Sequence, residues 1–500
     1  MPALPNGARM IALVAVTIVC GALCGALLGS QWAAPFAVVT PLTLFPLFYA
    51  YRFKRRATGI WLTVAYTSAQ LLVGLRWVYL GAVAHQGPGV YYTSAIALLF
   101  ECIPYALLGF AASLLAQRAA WRWCVAFASL WTLCEYWRST SALGVPYVQL
   151  GHALIDTPFV AVARVGGTEM LTFVCVLGSS ALFETSRRAL RWRVVGWTLC
   201  AAVVVLCAVA FRAPSRGAKS GSDVAIFQFG RVGTDGHLQK YLSALQRLKL
   251  TRGFAVWPES NLHFGPGTTL ETIRSAVRAR GIPLLAGGVV ADDSGIHDAV
   301  MFFGRSGSIG GYYAKRHLVP FGEYVPLPGL AHYVIPVSLI RAMPNLSPGA
   351  GPVTFAIGKS VVGPLICYES AFPALARDEV RVGANVLVAA TNDAWFARAP
   401  GPWELEQTAR LVAIETGTPM VLAGTVGPSG VIDADGRWAG SLPVGASAHA
   451  VFALPPARAT LYDALGDAPP LVAIAVLGLL AAATGGAKRR APRGESVATP

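Results

Sequence analysis

Charge is scarce in this chain. Only 13% of its 500 residues are Asp, Glu, Lys or Arg, and its mean hydropathy is +0.54. A soluble domain usually carries about 25% charged residues, so the deficit excludes a wholly water-exposed protein and assigns much of the chain to lipid. Cysteine is missing from one half. Eight of the nine cysteines lie at or before Cys207, and Cys367 stands alone in the polar region that follows. That distribution excludes a disulfide framework. No basic stripe with interleaved aromatics occurs in the polar half, so the net charge of +15 is not read as nucleic-acid binding. GPSG (427–430) does not make a GxSxG elbow. His297, His317 and His332 do not form a zinc spacing with Cys367, and neither metal nor cofactor is expected. The first apolar run, Met10 to Ser30, lacks a small-residue cleavage pattern and reads as a span rather than a removable signal.

What is present begins with long apolar runs. A membrane span needs about 20 mostly apolar residues. Such runs fall near 10–30, 34–51, 59–84, 92–115, 121–137, 159–183 and 193–212, with one more near 468–486. Basic residues sit at alternate ends: Arg9; Arg52, Lys54, Arg55 and Arg56; Arg118 and Arg122; Arg187, Arg188, Arg191 and Arg193; and Lys488, Arg489, Arg490 and Arg493. Positive charge stays on the cytoplasmic side. The pattern predicts eight spans, both termini inside, and a region from about 213 to 465 outside the cytoplasmic membrane, which for a bacterial inner-membrane protein means the periplasm. The domains are then a seven-helix bundle (1–212), a periplasmic domain (220–460) and a last helix (466–488). The stretch 135–159 reads as a connector or as a segment on the membrane surface that shapes a substrate entrance.

The polar region alternates short β-rich runs with helical patterns. The runs are 224–229, 254–259, 283–290, 299–304, 361–368 and 385–392; the helical patterns are 238–250, 270–280 and 403–417. Strands separated by helices predict an α/β layered domain. Glu259 ends FAVWPE, Lys315 follows GGYYA, and Cys367 ends VVGPLIC. Functional groups collect at strand ends in such domains. The chemistry is coherent: only a thiolate attacks a carbonyl well, a carboxylate can take its proton, and an ammonium can stabilise the oxyanion. Each residue also has a plainer reading. Cys367 can be a buried apolar residue, Glu259 a helix-end carboxylate and Lys315 a solvated surface charge. The segment 318–350, rich in Pro and Gly, is a candidate lid or an ordered surface loop.

VWPES, YAKRHLVPFGEYVPL and PLICYES, in that order, resemble the Glu-Lys-Cys triad of the nitrilase superfamily. With seven spans before and one after, the chain resembles the apolipoprotein N-acyltransferase family. EYWR, GVPYVQLGH, TNDAWF and GPW are similar to other motifs of that family. The resemblance implies a helical membrane domain joined to a nitrilase-like αββα sandwich. It assigns Glu259 as general base, Lys315 as oxyanion stabiliser and Cys367 as nucleophile, with Glu323, Tyr368 and Glu369 in support. Glu323 has an alternative role, holding Lys315 in place. The implied reaction is ping-pong: an acyl chain passes from a phospholipid donor to Cys367 as a thioester, then to the amine of a diacylglyceryl-cysteine lipoprotein acceptor. A monomer is expected. The chain departs from the family pattern at QFG (228–230), Asp298, Leu405, Val412 and Leu422. A divergent N-acyltransferase, a conjugation-associated paralogue with another acceptor, and a relict membrane protein all remain open at this point.

Overall fold

The computed structural model describes residues 6–29, 39–78, 80–81, 90–141, 143–187, 221–230, 237–259, 262–264, 268–326, 328–335, 337–342, 345–396 and 401–483. The expected span at 193–212 and residues 213–220 lie outside these residues. The principal helices of the apolar part are Asn6–Leu28, Arg56–Gly74, Val90–Leu115, Ala120–Thr140, Ala163–Ser186 and Ala468–Ala483. Among the described residues, three segments are long and apolar enough to cross a membrane: Gly7–Leu28, Ser94–Leu115 and Pro158–Ser186; Ala468–Ala483 is a shorter apolar helix. The run expected as one span at 34–51 is instead two short helices, Val39–Leu42 and Phe45–Phe53. Pro41 and Pro46 explain the division, because proline lacks the amide a continuous helix needs. The span expected at 159–183 opens with a 3-10 turn, Pro158–Val162, and kinks at Gly166–Gly167, where Gly167 takes φ 70°.

Small residues bring two helices into backbone contact. A Cβ on Gly21 would lie 2.3 Å from the Tyr66 carbonyl, and one on Gly25 would lie 2.1 Å from that of Gln70. In lipid, where apolar contact alone gives little drive, such close approach is how helices gain packing energy.

The stretch 135–159 is not a surface connector. Most of residues 144–155 are buried, between the helices and the polar half. Irregular backbone can sit there only if its polar groups find partners inside the protein. Two buried side chains of the helix Ala120–Thr140 supply them. Glu135 accepts the Leu150 amide at 3.0 Å, the Trp131 indole at 2.9 Å and the Thr172 hydroxyl at 2.8 Å. Arg138 donates to the carbonyls of Val145 (2.8 Å) and Tyr147 (2.6 Å). Gln70 donates to the Val148 carbonyl at 3.2 Å.

The polar half contains strands β1 (Asp223–Gln228), β2 (Gly253–Trp257), β3 (Leu284–Asp292), β4 (Gly295–Phe303), β5 (Ile309–Ala314), β6 (Phe355–Ile357), β7 (Ser360–Ile366), β8 (Val386–Thr391), β9 (Met420–Gly424), β10 (Ser429–Ile432), β11 (Trp438–Leu442) and β12 (Ala448–Ala453). They form two sheets, ordered β12-β1-β2-β3-β4-β5 and β11-β10-β9-β8-β7-β6. Val224, Ile226, Phe254, Val256 and Leu285 of the first interdigitate with Val362, Ile366, Val388, Val421 and Val431 of the second. The first sheet's outer face is covered by His237–Arg247 and Thr268–Arg280, the second's by Pro373–Arg381 and Gly401–Thr416. This is the expected αββα sandwich. The expected strands 224–229, 254–259, 283–290, 299–304, 361–368 and 385–392 are present with shifted ends. In particular, Cys367 does not end its strand but opens a 3-10 turn, Cys367–Ala371.

Strand direction sets where the site falls. β1, β2 and β3 are parallel, and β7, β8 and β9 are parallel. β4 reverses direction against β3 and β5 reverses it again, so β5 runs with β2 and β3. The exits of β2 and β5 therefore share one edge of the first sheet, and the exits of β7 and β8 share one edge of the second.

Candidate active site

Glu259 follows β2, Lys315 follows β5 and Cys367 follows β7. The structure brings the three together. The β5 register places Ala314 opposite Ala299, so Lys315 continues beside Asp298 and its amide donates to the Asp298 carbonyl at 2.8 Å. The Lys315 side chain is fully buried, which removes the surface-charge reading. Its ammonium donates to Glu323 at 2.5 Å and lies 3.8 Å from Asp298. Burial works against the ammonium, but Glu323, Glu259 and Asp298 outweigh it and hold its pKa well above the ordinary lysine value. Glu323 also accepts the Val319 amide at 2.8 Å, so it positions the lysine and ties down the chain that follows. Glu259, Asp298 and Glu323 each place a carboxylate oxygen within 4.8 Å of the others, a spacing that could hold a cation. The ammonium of Lys315 sits among them as that cation.

Asp298, which departs from the family pattern, is part of the site. Burial and then Glu259 push its carboxyl well up, Lys315 opposes them, and it is hydrogen-bonded to Glu259. Glu259 also accepts the amide of Asn392 at 2.9 Å, from the chain leaving β8. That amide reaches Cys367 as well. Burial and Glu259 push the thiol well above the ordinary cysteine value, with Lys315 pulling the other way. Burial and the neighbouring Glu259 carboxyl thus favour the protonated thiol at Cys367. Its backbone is strained, with φ 50°. The described residues have two other non-glycine residues at positive φ, Val148 (59°) and Phe321 (60°), and both lie in segments that border the site. Strain of this kind gathers at functional sites.

Glu369 is the brace beneath Cys367. It is fully buried and accepts the amides of Ile366 (2.8 Å), Arg316 (2.6 Å) and His317 (3.0 Å), and the Tyr313 hydroxyl (2.9 Å). One carboxylate thus clamps the Lys315 segment to the Cys367 turn. Arg316 extends the brace to Asp378 and Glu379, each at 3.0 Å. Tyr368 faces away from the sandwich. Its hydroxyl bonds the Gly144 carbonyl, and its ring meets Phe372 at 4.8 Å and Tyr147 at 6.0 Å. The expected site residues therefore divide: Glu259, Lys315, Glu323 and Cys367 form one cluster, Glu369 holds it together, and Tyr368 joins it to the helical half.

Asp298, Asn392 and Asp393 were not singled out as site residues from the sequence. The available signal was TNDAWF, which starts where a strand parallel to that of Cys367 ends. Asp393 accepts the Thr391 hydroxyl at 3.1 Å and the Gly427 amide at 3.2 Å, fixing the turn that aims the Asn392 amide.

These features define a class: a carbon–nitrogen hydrolase sandwich joined to apolar helices. Consistent with it, the carbon-nitrogen hydrolase family model matches residues 244–462, and the model for the apolipoprotein N-acyltransferase N-terminal domain matches residues 24–181. An apolipoprotein N-acyltransferase of Bradyrhizobium diazoefficiens is 30% identical over 427 residues, covering 78% of each chain. One of Haemophilus influenzae is 26% identical over 475 residues, covering 88% of this chain and 89% of its own. One of Haemophilus ducreyi is 27% identical over 435 residues, covering 82% and 85%. The chain belongs to the apolipoprotein N-acyltransferase family.

Proposed function

We propose that this protein is an inner-membrane acyltransferase that moves an acyl chain from a phospholipid to the N-terminal amine of a diacylglyceryl-cysteine lipoprotein, by way of a thioester on Cys367. The observation that carries the reading is the buried ammonium of Lys315. It is ringed by carboxylates on the edge where Glu259 and Cys367 meet, an arrangement costly to build for stability alone. In the first half-reaction the Cys367 sulfur bonds the ester carbonyl carbon while Glu259 takes the thiol proton. Lys315 faces the oxyanion, the carbon–oxygen bond breaks, and the proton leaves with the lysophospholipid. In the second, the acceptor amine bonds the thioester carbon, the carbon–sulfur bond breaks, and Glu259 relays an amine proton to the sulfur.

The charge pattern supports a catalytic domain in the periplasm with both termini in the cytoplasm. The domains would be 1–212, 220–460 and 466–488, acting as a monomer. The apolar helices suit two substrates that are both lipid-anchored. Complementation of a strain depleted of its own N-acyltransferase is the test. Growth should be restored by the parent and not by Cys367→Ala; failure of a well-expressed parent would sink the lipoprotein reading. A hydroxylamine-sensitive label on Cys367 after incubation with labelled phospholipid would still mark acyl transfer to a different acceptor.

A further inference from the structure

The catalytic turn does not rest on the sandwich alone. Tyr368, next to the nucleophile, hands its hydroxyl to the Gly144 carbonyl, and Phe372 at the end of the turn lies against Gly144. The segment that receives them has no regular structure of its own, and Val148 within it is a β-branched residue at φ 59°. Such a conformation persists only where the surroundings over-determine it. Gln70 holds Val148 itself, and the residues just before it are held by Arg138. Arg138 has no exposed surface. Its guanidinium takes the carbonyls of Val145 and Tyr147, on either side of Pro146, and lies 3.3 Å from the Tyr105 hydroxyl. The Arg138 carbonyl accepts the Val145 amide at 2.9 Å, closing the loop onto the helix. Glu101 and Glu135 are near enough to act on its charge. A buried charge is costly to keep for stability alone, because apolar residues of like volume usually do as well.

We propose that Arg138 is a positioning residue for the thiol: from inside the helical half it fixes the segment 144–148, which through Gly144 and Tyr147 sets the turn carrying Cys367 and Tyr368. The proposal rests on the reading of Cys367 as the acyl carrier and assigns to the helices a share in that chemistry beyond anchoring. The line runs Arg138, Val145 and Tyr147, Gly144, Tyr368, Cys367.

The experiment uses the full chain in detergent with phospholipid, in four forms: parent, Arg138→Gln, Tyr368→Phe and the double variant. Two rates are read at Cys367 by peptide mapping: single-turnover labelling by acyl-labelled phospholipid, and alkylation by iodoacetamide. Arg52→Gln, which breaks the Arg52–Glu184 pair elsewhere in the helices, is the control for general loosening. Arg138→Gln is expected to slow labelling at least tenfold and to raise the alkylation rate at least threefold as the turn relaxes. The double variant should be no slower than the slower single one, because both changes cut one line. The control should move neither rate. Unchanged rates in Arg138→Gln, additive losses in the double variant, or the same losses in the control would each overturn the proposal. So would slower labelling with unchanged alkylation. Absence of label in the parent would count against the acyl-donor reading alone, since the alkylation comparison needs no donor.

Discussion

At the scale of single residues, the proposed mechanism divides the work of Glu259, Lys315 and Cys367 by environment. The thiol is held protonated by burial and by Glu259, so attack depends on the base. Glu259→Gln should lower the acylation rate by about 10²–10⁴. What remains should climb with pH through the alkaline range, because unassisted attack needs a thiolate that forms only above the raised value. Single-turnover labelling between neutral and alkaline pH checks both. Asp393 offers a different test. Burial pushes its carboxyl up to about 7. An unfolded aspartate releases its proton near pH 4. Between those values the folded state holds a proton the unfolded state has lost, so stability falls as pH rises, by up to about 1.4 kcal/mol per pH unit. Asp393→Asn should flatten that slope, measured by thermal unfolding at pH 4.5 and pH 7.5. That Glu259, Lys315 and Cys367 belong together was legible because each follows a strand-like run and sits in a string that resembles the nitrilase triad. Glu135 and Arg138 were marked only as part of the EYWR motif, and Asp298 only as a departure; their roles were not legible, because a buried polar residue acquires its role from partners far along the chain.

At the scale of elements, two devices organise the molecule, one between its halves and one within the helices. The helix Gly401–Thr416 buries two faces: Ala409, Val412 and Ala413 lie on the second sheet, while Leu405, Leu411 and Ile414 enter the core of the apolar helices. Leu405 and Val412 were departures from the family pattern in sequence; each sits in one of these cores. Leu411→Ala should cost about 2–5 kcal/mol, the usual loss on emptying a core leucine, seen as a lower midpoint in thermal unfolding. The second device is the glycine contact between Asn6–Leu28 and Arg56–Gly74. Gly25→Val would force its side chain into the Gln70 carbonyl. Gln70 holds Val148, so the variant should lose Cys367 labelling as well as stability. The sandwich strands were legible where they are buried and β-branched. β6, β9, β10, β11 and β12 were passed over because they are short, or carry glycine or alanine, and their pairing depends on neighbours distant in sequence. The helix division at Pro41 and Pro46 was visible in the residues, yet the overall apolarity masked it.

At the scale of the whole molecule, the cores are not separate. Ala371, Phe372, Leu405, Leu411 and Ile414 of the polar half belong to the same cluster as Trp123, Phe127 and Trp131 of the helices. Thr168 donates its amide and hydroxyl to Glu415 at 2.6 and 2.7 Å across the same junction. The two halves should therefore unfold in one transition, with circular dichroism and Trp fluorescence giving coincident midpoints; separate transitions would contradict the shared core. The sandwich produced alone (220–460) would expose Phe372, Leu405 and Leu411, and it should self-associate in gel filtration unless detergent is supplied. The sequence displayed both halves and their order. It did not display that the helices supply a wall of the catalytic turn, since that depends on how a loop of 144–155 folds inward.

The left-handed backbone at Cys367 has a corollary for inactive forms of the protein. A side chain at that φ costs about 1–2 kcal/mol that glycine does not incur. Of two dead variants, Cys367→Gly should therefore melt at a higher temperature than Cys367→Ala. The proposed nucleophile occupies the one position in its turn where the fold would be more comfortable with no side chain at all.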